Sequence, residues 1–297
     1  MEKIKITFLG TGPSIPTKKR NHTSIFLQYK NEHILIDCGE GTQRQLKIAG
    51  ISPLKINKIL ITHWHGDHFL GIPGLFQTLA TNNYTKKIEI YGPKGTEEKI
   101  ELIKKLIGHK INTQIIETSS KAFENSEILI KAMKMSHGVE NNAYSFSIKE
   151  KRRLDKNKIR KLKLPNLPIL KELQKGKDIS FNGKKIKASS VSYIEKERKI
   201  TFILDTEFNA NAIKLAENSD ILICESTFSK DDFEKAEERM HLTSEKAALI
   251  AKKSKSKKLI LTHLSERYEN NMDKILREAK AIFKETTLAK DFDKIEI

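Results

Sequence analysis

The chain is poor in cysteine, in acidic residues relative to basic ones, and in long apolar runs. Cys38 and Cys224 are its only cysteines, and both sit in apolar, strand-like contexts. That argues against a disulfide-stapled scaffold and for two buried thiols kept reduced in the cytosol. No apolar stretch approaches the roughly 20 residues needed to cross a bilayer. The start, Met1-Glu2-Lys3-Ile4-Lys5, lacks the apolar core of a secretory leader. A cytoplasmic location with no membrane partner is therefore expected. No internal repeat of solenoid type is present. The acid shortfall is marked: 38 Asp and Glu stand against 55 Lys and Arg, a net charge of +17. Such a surplus points to a polyanionic partner. It is also concentrated. Residues 149–187 hold 15 Lys or Arg and 4 Asp or Glu, so +11 lies there and +6 elsewhere.

With 297 residues the chain can bury a large core. Hydrophobic patterning predicts strands over Lys3–Leu9, Thr23–Tyr29, His33–Asp37, Ile56–Thr62 and Lys87–Tyr91, with helices over 42–49, 72–80 and 97–107. Later come strands over 185–192, 200–204, 221–224 and 258–262, alternating with helices over 209–217 and 244–253. A strand-rich start followed by β-α alternation predicts an α/β protein, two β-sheets sandwiched between helices. Lys151 to Lys177 breaks the pattern with many cations, few β-branched residues and two prolines, Pro165 and Pro168. It reads as a projecting basic helical arm. One domain spanning 1–297, with the arm inserted at about 149–178, is the expected organisation.

The most informative stretch is Leu60-Ile61-Thr62-His63-Trp64-His65-Gly66-Asp67-His68. An apolar strand delivers three imidazoles and a carboxylate in six residues, with Gly66 expected to permit a sharp turn. Imidazole nitrogen and carboxylate oxygen suit zinc. One turn cannot fill two metal sites, so further ligands must come from elsewhere. Four more segments put a ligand-type residue at the end of an apolar strand: Asp37, His137, Asp205 and His263. Strand ends gather at one edge of a sheet, where such residues could converge.

The His-x-His-x-Asp-His run resembles the metallo-β-lactamase superfamily. The order Asp37, His63-x-His65-x-Asp67-His68, His137, Asp205, His263 more narrowly resembles ribonuclease Z, the tRNA 3′-processing endonuclease family. Phe8-Leu9-Gly10-Thr11-Gly12, Pro16-x-Lys18-x-Arg20-Asn21, Asp37-Cys38-Gly39-Glu40-Gly41-Thr42-Gln43, Glu225-Ser226-Thr227-Phe228, His241-Leu242-Thr243 and Leu261 to Tyr268 carry the likeness. It runs from Ile6 to about Tyr268. Leu242 stands where that family usually has Ser. Leu164-Pro165-Asn166-Leu167-Pro168 stands where its bacterial members tend to have a Gly-Pro pair.

The resemblance implies a metallo-β-lactamase fold, an αββα sandwich of two mixed sheets. It implies two Zn2+ per chain, His63, His65 and His137 on one, His68, His263 and Asp67 on the other, Asp205 bridging. It implies removal of the 3′ trailer from precursor tRNA by two-metal hydroxide attack, leaving a 3′-hydroxyl, and a homodimer. Asp67 can accept the proton of the attacking water. Asp37 suits an outer acceptor that fixes one ligand imidazole in a single tautomer. A ribose 3′-oxygen leaves poorly unless protonated. His241 is the candidate acid and Glu225 its partner. Lys18, Arg20 and Asn21 are candidate RNA contacts near the scissile bond, and Lys151, Arg152, Arg153, Arg160 and Lys161 are candidate contacts on the arm. Two other readings compete: a hydrolase of a small phosphodiester or thioester, and a catalytically silent RNA-binding protein. A small substrate needs no +11 segment, and intact ligands at every metal position argue against silence.

Overall fold

The computed structural model describes residues 2–165 and 168–297; Asn166 and Leu167, within the stretch that lacks the Gly-Pro pair, lie outside the described residues, as does Met1. The chain divides into two compact units. One comprises Met1–Glu124, Ile130–Phe146 and Lys199–Ile297, the other Asn125–Leu129 and Ser147–Arg198.

In chain order the strands are β1 Lys5–Gly10, β2 Ser24–Tyr29, β3 Glu32–Ile36, β4 Lys58–Leu60, β5 Ile88–Gly92, β6 Thr113–Glu117, β7 Lys121–Glu124, β8 Ile128–Lys134 and β9 Asn142–Ile148. They continue as β10 Lys151–Leu154, β11 Ile179–Phe181, β12 Lys184–Ile186, β13 Ser192–Glu195, β14 Arg198–Ile203, β15 Ile221–Glu225, β16 Leu259–Thr262, β17 Thr286–Leu288 and β18 Lys294–Glu296. Two seven-stranded mixed sheets result, in the orders β18-β1-β2-β3-β4-β5-β6 and β17-β16-β15-β14-β9-β8-β7. The expected two-sheet α/β architecture is what the chain adopts.

Most strands of the first unit read as near-continuous apolar runs because both faces are covered. Leu9, Phe26, Leu35, Ile59, Ile61 and Ile90 pack against Leu46, Leu75, Phe76, Leu79 and Ile100 from the helices Thr42–Ile48, Gly71–Thr81 and Thr96–Ile107. Ile203, Leu222, Cys224, Leu259 and Leu261 pack against Leu215, Ala247, Ala251, Ile275 and Ala279 from the helices Ala210–Ala216, Ser244–Lys253 and Met272–Ile282. The two sheets meet face to face. Tyr144 of β9, fully buried, donates its hydroxyl to the Ile61 carbonyl at 2.7 Å. Asn142 N–H reaches the Thr62 carbonyl at 2.9 Å, which ties β9 to the strand that leads into the His run. Tyr144→Phe should leave the Ile61 carbonyl buried without its donor and cost about 1–3 kcal/mol, read as a lower urea midpoint. A midpoint equal to wild type would mean that the two sheets do not depend on this bond. Cys38 and Cys224 are free, and burial raises both thiols, that of Cys38 to about 12.

The second unit departs from the sequence reading. Its cationic segment is only partly helical, with the helices Lys156–Lys161 and Pro168–Gln174. Other described residues form two antiparallel ladders, β10 with β13 and β11 with β12. The stretch 185–192, expected as a core strand, instead supplies two of the three residues of β12, a short turn of helix at Ala188–Ser190 and the start of β13. Charge pairing replaces apolar alternation here: Arg153 Nε donates to Glu195 Oε2 at 2.5 Å across the ladder. A small core of Leu164, Leu173, Ile186, Ala188 and Val191 holds the unit together.

Candidate metal centre and active site

β3 and β4 run parallel, as do β14, β15 and β16. Their C-terminal ends therefore face the same way within each sheet, and the predicted ligands lie just beyond them, except His137, which follows β8. Three of these residues, Asp37, Asp205 and His263, hold φ values of +54°, +34° and +56°. Left-handed backbone is uncommon outside glycine and concentrates at functional sites. Gly66 behaves differently from expectation. Its backbone lies outside the left-handed region and it opens the short helix Gly66–Phe69, so the His run is turned by a helix start. Gly39 is the residue that close approach demands: a Cβ there would lie 2.5 Å from the Asp67 carbonyl oxygen.

The structure brings His63, His65, His137 and Asp205 into one cluster and Asp67, His68, Asp205 and His263 into a second, with ligand atoms within 4.8 Å of one another in each. Asp205 belongs to both. Its Oδ2 lies 3.6 Å from His63 Nε2, 3.6 Å from His137 Nε2 and 3.3 Å from His68 Nε2. Its Oδ1 lies 3.0 Å from His263 Nε2. Asp67 Oδ2 is 3.3 Å from His68 Nε2 and 3.4 Å from His263 Nε2.

Outer partners decide which ring nitrogen faces inward. Asp37 is fully buried and accepts Thr62 N–H and Thr62 Oγ1–H, each at 2.7 Å, and His68 Nδ1–H at 2.7 Å. His63 Nδ1 meets Thr62 Oγ1 at 3.1 Å, and His137 Nδ1–H donates to the Met240 carbonyl at 2.9 Å. His263 Nδ1 meets Thr227 Oγ1 at 2.9 Å. Four imidazoles thus spend Nδ1 on the protein and leave Nε2 for the centre. His65 is the exception, since its Nδ1 approaches His63 Nε2 at 2.9 Å.

These donors fit metal ions. His68 Nε2 and Asp205 Oδ1 are buried and make no hydrogen bond among the described residues. Burial holds His63 well below the ordinary imidazole range, and burial with His137 beside it lowers His65, so both rings stay neutral and ready to ligate. Burial opposes charge on His68, yet Asp205, Asp67 and Asp37 raise it well above that range. A carboxylate cluster this deep demands positive charge, which a divalent cation beside Nε2 would supply. Nitrogen and oxygen ligands in groups of four suit zinc.

Beside the clusters, His241 Nδ1–H donates to Glu225 Oε1 at 3.0 Å. Burial disfavours the charged ring, but Glu225 raises its pKa to about 9. A cavity of about 280 Å³ joins His65, Asp67, Asp205, His241 and His263 to Pro13, Ser14, Ile15, Arg239 and Arg267. Neither arginine was given a role from the sequence, although Arg267 lies in the Leu261 to Tyr268 likeness; an exposed cation at a helix end reads as solvated surface. In the loop predicted to touch RNA, two of the three side chains are bonded to the protein. Arg20 is buried and donates to Thr11 Oγ1 at 2.6 Å and the Ala289 carbonyl at 2.8 Å, while Asn21 Nδ2–H donates to the Glu40 carbonyl at 2.7 Å. Lys18 is exposed.

Known proteins resemble the chain over nearly its full length. Ribonuclease Z of Methanothermobacter thermautotrophicus is 38% identical over 99% of this chain and 97% of its own. That of Nanoarchaeum equitans is 37% identical over 98% and 92%. The chain belongs to the ribonuclease Z family. Like its family it is an endoribonuclease, a hydrolase, and its His/Asp clusters could hold metal ions. The crystal structure of human tRNase Z, short form, superimposes with a TM-score of 0.71 at 28% identity, covering 98% of each chain. The metallo-β-lactamase fold protein YhfI from Bacillus subtilis, at 20% identity and a TM-score of 0.73 over 100% of both chains, shares the fold. A family model described as anti-Pycsar protein Apyc1 matches residues 4–156. That match ends before Asp205, Glu225, His241 and His263, whereas the ribonuclease Z relatives run through all four. Among the described residues, no helix is long and apolar enough to cross a membrane.

Proposed function

We propose that this endoribonuclease removes the 3′ trailer of precursor tRNA in the cytoplasm, leaving a tRNA 3′-hydroxyl, and that it uses two zinc ions. The observation that carries this reading is the pair of ligand clusters sharing Asp205, with the His241–Glu225 pair lining the same cavity. His63, His65, His137 and Asp205 would hold one ion, and Asp67, His68, His263 and Asp205 the other. Zinc bound there supplies a nucleophile at neutral pH and charge neutralisation on the phosphoryl oxygens. Asp67 takes the proton of the attacking water. His241 keeps Nδ1–H on Glu225 and gives a proton from Nε2 to the departing ribose 3′-oxygen. Arg239 and Arg267 face the phosphates that flank the cut.

The unit built from 125–129 and 147–198 is, in this reading, the basic arm of a single-domain enzyme. Lys156, Arg160, Lys171, Arg153 and Tyr193 line a cavity of about 890 Å³ within it. Phosphate contacts of this kind are salt-dependent and indifferent to base sequence. Replacing Lys156, Arg160, Lys161 and Lys171 by Gln should weaken precursor tRNA binding by roughly 10-fold or more and flatten its salt dependence. Hydrolysis of a small chromogenic phosphodiester should persist. Arg153 is best left in place, since it pairs with the buried Glu195. Unchanged tRNA affinity in this variant would move the binding surface elsewhere. Homodimer formation is part of the proposal, and light scattering should give twice the 34.0 kDa of one chain. The test of the whole reading compares zinc-loaded enzyme on precursor tRNA and on the chromogenic phosphodiester. Hydrolysis of the small substrate with no tRNA cleavage would replace it.

A further inference from the structure

The structure assigns to Thr227 a positioning role that links one metal-ligand cluster to the proton donor. Thr227 is buried, two residues beyond the end of β15. Its Oγ1 lies 2.6 Å from Glu225 Oε2, 2.9 Å from His263 Nδ1 and 3.4 Å from His241 Nδ1. Glu225 also receives Thr206 N–H at 2.7 Å and Thr227 N–H at 3.2 Å, so its carboxylate acts as an acceptor. A carboxylate cannot donate, and the Thr227 hydroxyl has one hydrogen to give. That hydrogen goes to Glu225. The remaining lone pairs accept His263 Nδ1–H, which leaves His263 Nε2 unprotonated and directed at Asp67 and Asp205. Without the hydroxyl, the ring could rotate or take its proton on Nε2.

The other sheet holds a matching chain. Thr62 Oγ1 donates to Asp37 Oδ2 at 2.7 Å and meets His63 Nδ1 at 3.1 Å. Each sheet thus offers a carboxylate, a threonine hydroxyl and a ligand imidazole in series. The two chains differ in what the carboxylate does with its second position. Asp37 takes a further ligand, His68. Glu225 takes His241 instead, at 3.0 Å. β15 and β16 pair in register, Glu225 opposite Thr262, which keeps Glu225 beside the base of His263. Thr227 is where the orientation of a metal ligand and that of the proton donor meet.

The inference rests on the zinc reading, and zinc affinity tests both. The full-length holoenzyme is stripped and titrated with zinc against a chromophoric chelator. Outer partners of ligand imidazoles typically govern affinity by 10–100-fold. Thr227→Val should therefore weaken one of the two zinc sites by roughly 10–100-fold and leave the other as in wild type. Thr227→Ser should keep both sites, and kcat on RNA should fall in Thr227→Val with little change in KM and recover in Thr227→Ser. If the valine variant does not fold, Thr227→Ala carries the same expectation. Two wild-type zinc sites in Thr227→Val would overturn the inference. So would a serine variant as weak as the valine one, which would assign the effect to the methyl group. Wild-type protein that binds no zinc would sink the metal reading itself.

Discussion

Asp205→Asn is expected to remove RNA cleavage and to reduce bound zinc from about two ions per chain to at most one, while the fold persists. Among the described residues, no other ligand-type side chain belongs to both clusters. Oδ2 faces His63, His68 and His137, and Oδ1 faces His263. A carboxylate can bridge two cations with its two oxygens. An amide of the same shape offers one acceptor and turns an NH2 toward the other cation. Asparagine is the right replacement because φ is +34° at this position, and asparagine tolerates left-handed backbone where alanine does not. The change also sits beyond the end of β14, away from both apolar cores, so circular dichroism should be unchanged. His63→Ala and His263→Asn make the comparison quantitative, since each should empty one cluster only, and asparagine suits the φ of +56° at position 263. Metal analysis by mass spectrometry decides. Asp205→Asn with two tightly bound zinc ions and normal cleavage would refute a bridging carboxylate.

The cluster residues were legible because each stands at or just past the end of an apolar strand, and strand ends can gather at one edge of a sheet. His63, His65, Asp67 and His68 needed no more than their spacing. The outer hydrogen-bonding partners were half visible. Asp37 reads as an acceptor because a carboxylate after a buried strand needs donors. Thr62 and Thr227 were silent, since threonine is an ordinary strand and strand-end residue, and only distance turns its hydroxyl into a relay. The Pro-x-Lys-x-Arg-Asn loop shows the converse. Two cations near a phosphate site look like phosphate contacts, but Arg20 spends its guanidinium on Thr11 and Ala289. Its cavity-facing neighbours, Pro13, Ser14 and Ile15, reach the site instead. The ladders of the second unit were hidden because β10 reads Lys-Arg-Arg-Leu, without the alternation that marks a strand. The C-terminal strands β17 and β18 are three residues each, too short for any periodicity to register.

His241→Ala should slow the chemical step by roughly 10²–10⁴-fold with both zinc ions retained. The size follows from the leaving group of the proposed reaction. A ribose 3′-alkoxide is strongly basic, so cleavage without a proton donor must push negative charge onto an oxygen that resists it. His241 is placed to relieve this: Glu225 fixes Nδ1, and Nε2 is left for the cavity that the ligand clusters line. A substrate whose scissile 3′-oxygen is replaced by sulfur supplies a leaving group that needs no proton. On that substrate the alanine variant should approach wild-type rate, whereas Asp205→Asn should stay inactive. Glu225→Gln should fall between, because the amide still meets Nδ1 but no longer stabilises the charged ring. The competing outcome is specific. Glu225, His241 and His263 also present ligand-type atoms within 4.8 Å of one another. If His241→Ala lost an equivalent of zinc, and the sulfur substrate gave no recovery, His241 would be a ligand, and the proton for the leaving oxygen would have to come from elsewhere in the cavity.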